Sequence, residues 1–140
     1  MKYKYLSHTA EKKFVAYGSS FKEALENAAE AMLGIMLDIK KIRALKADTC
    51  RIKIRQKAST AEDLVWYVLQ NMLTQIDEKS LNAYAFKIIE SNARRHEIIG
   101  YLLCKKSNQD FSMLEIKAVT PSELSVRKGR RWSITVVVDV

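Results

Sequence analysis

Two histidines and two cysteines among 140 residues leave this chain few groups for acid–base or nucleophilic chemistry. Histidine is the usual proton carrier near neutral pH, and a reactive cysteine needs an activating neighbour. Cys50 and Cys104 lie far apart, without the paired spacing or adjacent histidines of a zinc site or disulfide framework. Both fall in strand-like alternations, where a reduced cysteine serves as a small hydrophobe. Glycine occurs four times and proline once, with no glycine-rich phosphate loop, no serine elbow and no histidine-bearing metal helix. These absences argue against an independent enzyme. No apolar run reaches the roughly 18 residues a membrane-spanning helix requires. The opening MKYKYLSHTAEKK is charged and strand-like, unlike the apolar segment of a signal peptide, so a cytoplasmic location is expected.

What is present is a globular composition. Hydrophobic residues make up 48% of the chain, enough for a core within one domain spanning residues 1–140. The formal net charge is +8, which favours RNA or an acidic partner without fixing a site.

Two helices are predicted. The first opens at Ser20 with Glu23 three residues on, a capping-box pair. Phe21, Ala24, Leu25, Ala28, Met32 and Met36 then recur at helical spacing, and Gly34 should weaken continuation near the end. The second opens at Ser59 or Thr60, followed by Glu62 and Asp63. Its wide apolar stripe of Leu64, Val65, Val68, Leu69, Met72, Leu73 and Ile76 should pack on a sheet.

The rest reads as strands: 2–7, 14–17, 49–57, 83–90, 96–105, 113–120, 124–128 and 132–138. Pro121 should end its strand or lie at an edge, and Gly129 marks a turn. The pattern predicts an α+β fold, a largely antiparallel sheet with two helices packed on one face.

Four features could carry function. Asp139 follows the apolar run Ile134 to Val138, a poor setting for aspartate, and the Val140 carboxylate stands beside it. Clustered oxygens of this kind suit a hard cation. The polar turn Ser7-His8-Thr9-Ala10-Glu11 supplies another carboxylate, Glu11, if folding brings it near Asp139. His8 is read first as a hydrogen-bonded structural residue. Arg51, Lys53, Arg55 and Lys57 form one face of an alternating strand, about 6–7 Å apart. Such a row can neutralise RNA phosphates, although no aromatic residue interleaves with it along the strand. The turn Arg127, Lys128, Arg130, Arg131 is a second basic candidate. Lys117 sits within Glu115 to Thr120, where alternation groups it with Glu115 and Val119.

Taken in order, these segments resemble the archease family over nearly the whole chain. KYKYLSHTAEKKFVAYGSSFKEALENAAEAMLGIM is similar to the family's opening strand, its His-Thr-Ala-Asp turn and first helix. AEDLVWYVLQNMLTQID is similar to its second helix, and EIKAVTPSELSV with VVVDV to its two closing strand signatures. The resemblance implies an α+β two-layer sandwich and a divalent cation, calcium in the usual description. It further implies a non-catalytic partner of the GTP-dependent tRNA-splicing RNA ligase, which joins a 2′,3′-cyclic phosphate or 3′-phosphate end to a 5′-hydroxyl. The help consists of promoting ligase guanylylation and multiple turnover. Carried over by position, the metal ligands are Glu11, Asp139 and Val140, and Lys117 is the functional lysine, with His8 in the family turn. An alternative role in the family is a basic chaperone or binding module for a tRNA-modifying enzyme or for RNA. The chain departs from the family pattern at Glu11 in place of aspartate, Ser7 in place of an acid, Lys12 and Lys13 in place of small apolar residues, and Pro121 in place of tyrosine.

Overall fold

Local capping sets both long helices. Thr60 Oγ1 accepts from the Asp63 amide at 3.1 Å and Ser20 Oγ from the Glu23 amide at 3.1 Å, so α3 (Ala61–Lys79) and α1 (Phe21–Met36) start at Thr60 and Ser20. The return bond of the first capping box shifts by one residue: Glu23 accepts from the Ser19 amide at 3.0 Å. Between them lies a short helix the pattern did not predict, α2 (Ile39–Ala44), capped by Asp38. The computed structural model describes residues 1–7 and 10–140 of the chain; the predicted roles of His8 and Thr9 lie outside the described residues.

Gly34 does not end α1. The helix runs on to Met36, and a Cβ at Gly34 would come within 2.9 Å of the Tyr5 hydroxyl. That hydroxyl donates to the Ala31 carbonyl at 2.8 Å, so the missing side chain lets the first strand lie against the helix.

The strands are antiparallel, as expected, and divide into two sheets. The first has the order β1 (Tyr3–Leu6), β2 (Lys12–Gly18), β7 (Trp132–Asp139), β6 (Ala118–Lys128). The second has the order β3 (Thr49–Lys57), β5 (Glu97–Lys105), β4 (Asn82–Asn92). Among the described residues, the helices pack on the buried face of each sheet. Helix α1 packs on β2 and β7 and also on β4, while α3 packs on β6 and β3, so the helices lie between the sheets. Small residues make this possible: Ala24, Ala28, Ala29 and Ala31 are fully buried, so backbones of both sheets approach α1 closely.

The core is continuous. Phe14, Ala16, Ile134 and Val136 come from one sheet, Phe86, Ile88, Ile98 and Leu102 from the other, and Leu25, Met32, Leu69 and Met72 from the helices. Each fully buried large side chain contributes about 1.5–3 kcal/mol relative to exposure. Cys50 and Cys104, distant in sequence, are directly opposed across β3 and β5, and both are free thiols. Burial, with Cys50 alongside, pushes the Cys104 thiol up to about 12, so it stays protonated and acts as a hydrophobe.

Pro121 lies on an edge strand, as expected. β6 pairs only with β7, and its register shifts between Thr120 and Ser125, a bulge that accommodates the missing proline amide. Residues 113–117 precede β6 and are not strand.

Candidate functional site

The two ends of the chain meet because β2 and β7 are neighbours. Their last register pair is Lys12 with Val138; Glu11 stands in a bend just before β2 and Asp139 is the last residue of β7, so the two carboxylates belong to the same sheet end. Asp139 is exposed and Glu11 half-buried, while Val140 packs partly against the core. On the other side of β7, Ala118 pairs with Asp139, and the Lys117 amide donates to the Asp139 carbonyl at 2.7 Å. The fold thus gathers Glu11, Lys117, Asp139 and Val140 at one end of the four-stranded sheet. The Lys117 side chain is exposed and lines an open groove with Gln70, Asp77 and Lys106.

The donor chemistry at this end is all oxygen, which suits a hard cation. Among the described residues, no three His, Cys, Asp or Glu side chains cluster as a metal-binding group. Two carboxylates fall short of the roughly six to eight oxygens a calcium ion takes, so a cation at this end would draw the remainder from main-chain carbonyls and water. Of the two flanking lysines, Lys13 is engaged by Glu123 at 3.4 Å, which offsets its charge beside such a site.

Sequence reading missed what holds this end in place. Val119 faces away from β7 with both its backbone groups, and α3 satisfies them. The Trp66 indole N–H donates to the Val119 carbonyl at 2.7 Å, and Gln70 Oε1 accepts from the Val119 amide at 3.1 Å. Trp66 and Gln70 are four residues apart and so share one face of the helix. Their polar atoms within an otherwise apolar stripe were the only signal in the sequence. The clamp fixes the start of β6, two residues from Lys117.

The basic strand face also gains a feature. On the outer side of the three-stranded sheet, Lys53 lies opposite Tyr101 of β5, and Lys87 of β4 lies opposite Tyr101 from the other side. The Arg51 guanidinium sits 4.4 Å from the centre of the Tyr101 ring. An aromatic does interleave with the cations, from the neighbouring strand. Arg55 is held by Glu97 at 3.0 Å. The basic turn after β6 has its own ring contacts: Arg131 lies 3.7 Å from the Tyr17 ring centre and Lys128 5.6 Å from that of Trp132.

Comparison with known proteins decides the family. The sequence model described as the Archease protein family (MTH1598/TM1083) matches residues 3–140. The chain belongs to the archease family. Protein archease of Methanosarcina barkeri is 36% identical, over 99% of this chain and 95% of that protein. Protein archease of Danio rerio is 26% identical, over 99% of this chain and 85% of that protein. The solution structure of Methanobacterium thermoautotrophicum protein 1598 superposes with a TM-score of 0.73 at 21% identity, covering 99% of both chains. A Thermotoga maritima crystal structure described as an archease and possible chaperone gives 0.64 at 20% identity, covering 96% and 94%. At such identities the two structures establish the shared archease fold, and the α+β class expected from the sequence holds. No helix of the described residues is long and apolar enough to cross a membrane.

Proposed function

We propose that the protein is a non-catalytic helper of a GTP-dependent tRNA-splicing RNA ligase, acting in the cytoplasm through a divalent-cation site. The observation that carries this reading is the β2–β7–β6 register, which gathers Glu11, Asp139, Val140 and Lys117 at one sheet end. Membership of the archease family supports it. In this reading Glu11, Asp139 and the Val140 carboxylate hold the cation, calcium in the first instance. A bound cation would supply charge for orienting nucleotide phosphate oxygens. Asp139 is fixed by its own main-chain bond to Lys117, so its carboxylate is presented from a rigid strand rather than a loop. The exposed Lys117 ammonium adds a mobile positive charge beside it, suited to a phosphate or an acidic partner side chain.

The experiment mixes the protein with ligase, GTP and a nicked tRNA, and in parallel titrates calcium calorimetrically. Wild type should raise ligase turnover, and Asp139→Ala should lose both the stimulation and at least tenfold in calcium affinity. Equal stimulation by Asp139→Ala would sink the reading.

A second reading, a chaperone for a tRNA-modifying enzyme, has support in the description of the Thermotoga maritima structure as a possible chaperone.

A further inference from the structure

The outer face of the three-stranded sheet is an ordered arrangement of cations around an apolar centre, and the cation site at the other sheet makes no use of it. Along β5, Ile99, Tyr101 and Leu103 are half-buried and point outward. Arg51, Lys53 and Arg55 lie directly opposite Leu103, Tyr101 and Ile99 on β3, and Lys57 extends the row. Lys87 brackets Tyr101 from β4, and the bulge there leaves Ile89 53% exposed. Among the described residues, Lys53, Lys57 and Lys87 form no ion pair; of the two acids on this face, Glu97 is taken by Arg55, and Glu90 lies across Ile99 on β4, on the far side from the row.

Edge strands often carry lysine simply to deter pairing. Three details here go further. The cations stand in single file on alternate residues of a strand, a run of about 20 Å with steps of about 6–7 Å. That repeat is comparable to the phosphate repeat of an extended single strand. The Arg51 guanidinium already lies over Tyr101 at 4.4 Å, forming a flat cationic layer beside the row. Guanidinium planes and aromatic rings are the surfaces on which unpaired bases stack. Finally, the face is only three strands wide, about 10 Å, so it can follow one backbone but not the two of a duplex. An acidic protein surface would match the charge but leave the Arg51–Tyr101 layer and the aliphatic centre without a counterpart.

We infer that this sheet face binds single-stranded nucleic acid, with Arg51, Lys53 and Lys57 tracking about three phosphates and the Arg51–Tyr101 layer stacking one base. The site is independent of the cation-binding reading, since it lies on the other sheet.

The test is fluorescence anisotropy of a labelled oligouridine of about twelve nucleotides, titrated with the intact protein between about 50 and 200 mM salt. Three neutralised phosphates predict a slope of log affinity against log salt of about −2. Combining Lys53→Ala with Lys57→Ala should make that slope shallower by about 1.4. Tyr101→Leu, which keeps an apolar residue at the centre of the sheet, should weaken binding about tenfold with the slope unchanged, and Tyr101→Phe should restore it. Asp139→Ala should bind the oligonucleotide as wild type does, which separates this site from the cation site. Thermal melts of each variant confirm folding, and the lysine pair, being exposed, remains informative if Tyr101→Leu does not fold. No binding at the lowest salt overturns the inference. So does a duplex of the same length binding equally well, a lysine pair with unchanged slope, or polyglutamate competing as effectively as RNA.

Discussion

Replacing Gln70 with alanine should loosen the edge of the four-stranded sheet at the point where the candidate cation site is built. Val119 is only 1% exposed, so water cannot take over the hydrogen bond its amide loses when Gln70 Oε1 is removed. A buried backbone group left unsatisfied costs about 1–3 kcal/mol. Taking about 1.5 kcal/mol, and about 4 °C per kcal/mol for a chain of this length, the melting temperature should fall by about 6 °C. Trp66→Phe keeps most of the ring but removes the indole N–H, leaving the Val119 carbonyl unsatisfied, with a loss of similar size. Because both bonds end on one residue, the double variant should lose less than the sum. Gln70→Glu keeps an acceptor for the Val119 amide and should stay close to wild type. The local signature is amide hydrogen exchange. Freed from α3, the start of β6 should open more often, and exchange at Val119 and at Lys117, whose amide is bonded to Asp139, should quicken in Gln70→Ala. A melting temperature within about 1 °C of wild type, together with unchanged exchange at Lys117, would show that α3 does not hold this strand.

Gly100→Ala should destabilise by about 1–3 kcal/mol in denaturant unfolding, because its Cβ would lie 2.5 Å from Phe86 Cζ and 2.8 Å from the Lys87 carbonyl oxygen, and the backbone oxygen cannot swing away. Alkaline pH should weaken the β1–α1 contact. Burial and the neighbouring Tyr3 hold the Tyr5 phenol up at about 12 against an ordinary 10.0, so its contribution is complete below pH 10.0 and fades as pH rises towards 12. The slope is softened because Tyr5 is half exposed. Melting curves of wild type should therefore decline more steeply than those of Tyr5→Phe across that interval; parallel curves would remove the assignment.

The parts of this molecule that were legible in the sequence are those written in neighbouring residues. Ser20 and Thr60 announce their helices because a cap bonds an amide three residues away. Arg51 to Lys57 declares its face by strict alternation. Which strand lies beside which is another matter, since alternation is the same whatever the partner. That is why one sheet with helices on a single face was expected and two sheets enclosing the helices were found. The alanines of α1 were the available clue, as Ala24, Ala28, Ala29 and Ala31 spread over an arc of about 160° and so let the helix be approached from more than one direction. Tyr101 was overlooked for a related reason: along β5 its neighbours are aliphatic, and only the register with β3 sets it among cations. Trp66 and Gln70 look like ordinary interruptions of an apolar stripe until Val119 is placed against them. Glu11 and Asp139 were singled out as oxygen donors, but their proximity depends on a strand pairing that spans nearly the whole chain.

That long-range pairing has a kinetic side. Contacts between segments so distant in sequence close the largest loop available, and such closures come late in folding. The helices and the β4–β5 hairpin join near neighbours, whereas the β2–β7 seam joins Lys12 to Val138, across nearly the whole chain. Glu11 comes near Asp139 only where β2 and β7 are paired, so recognition of the two together reports that the two ends of the sheet have joined.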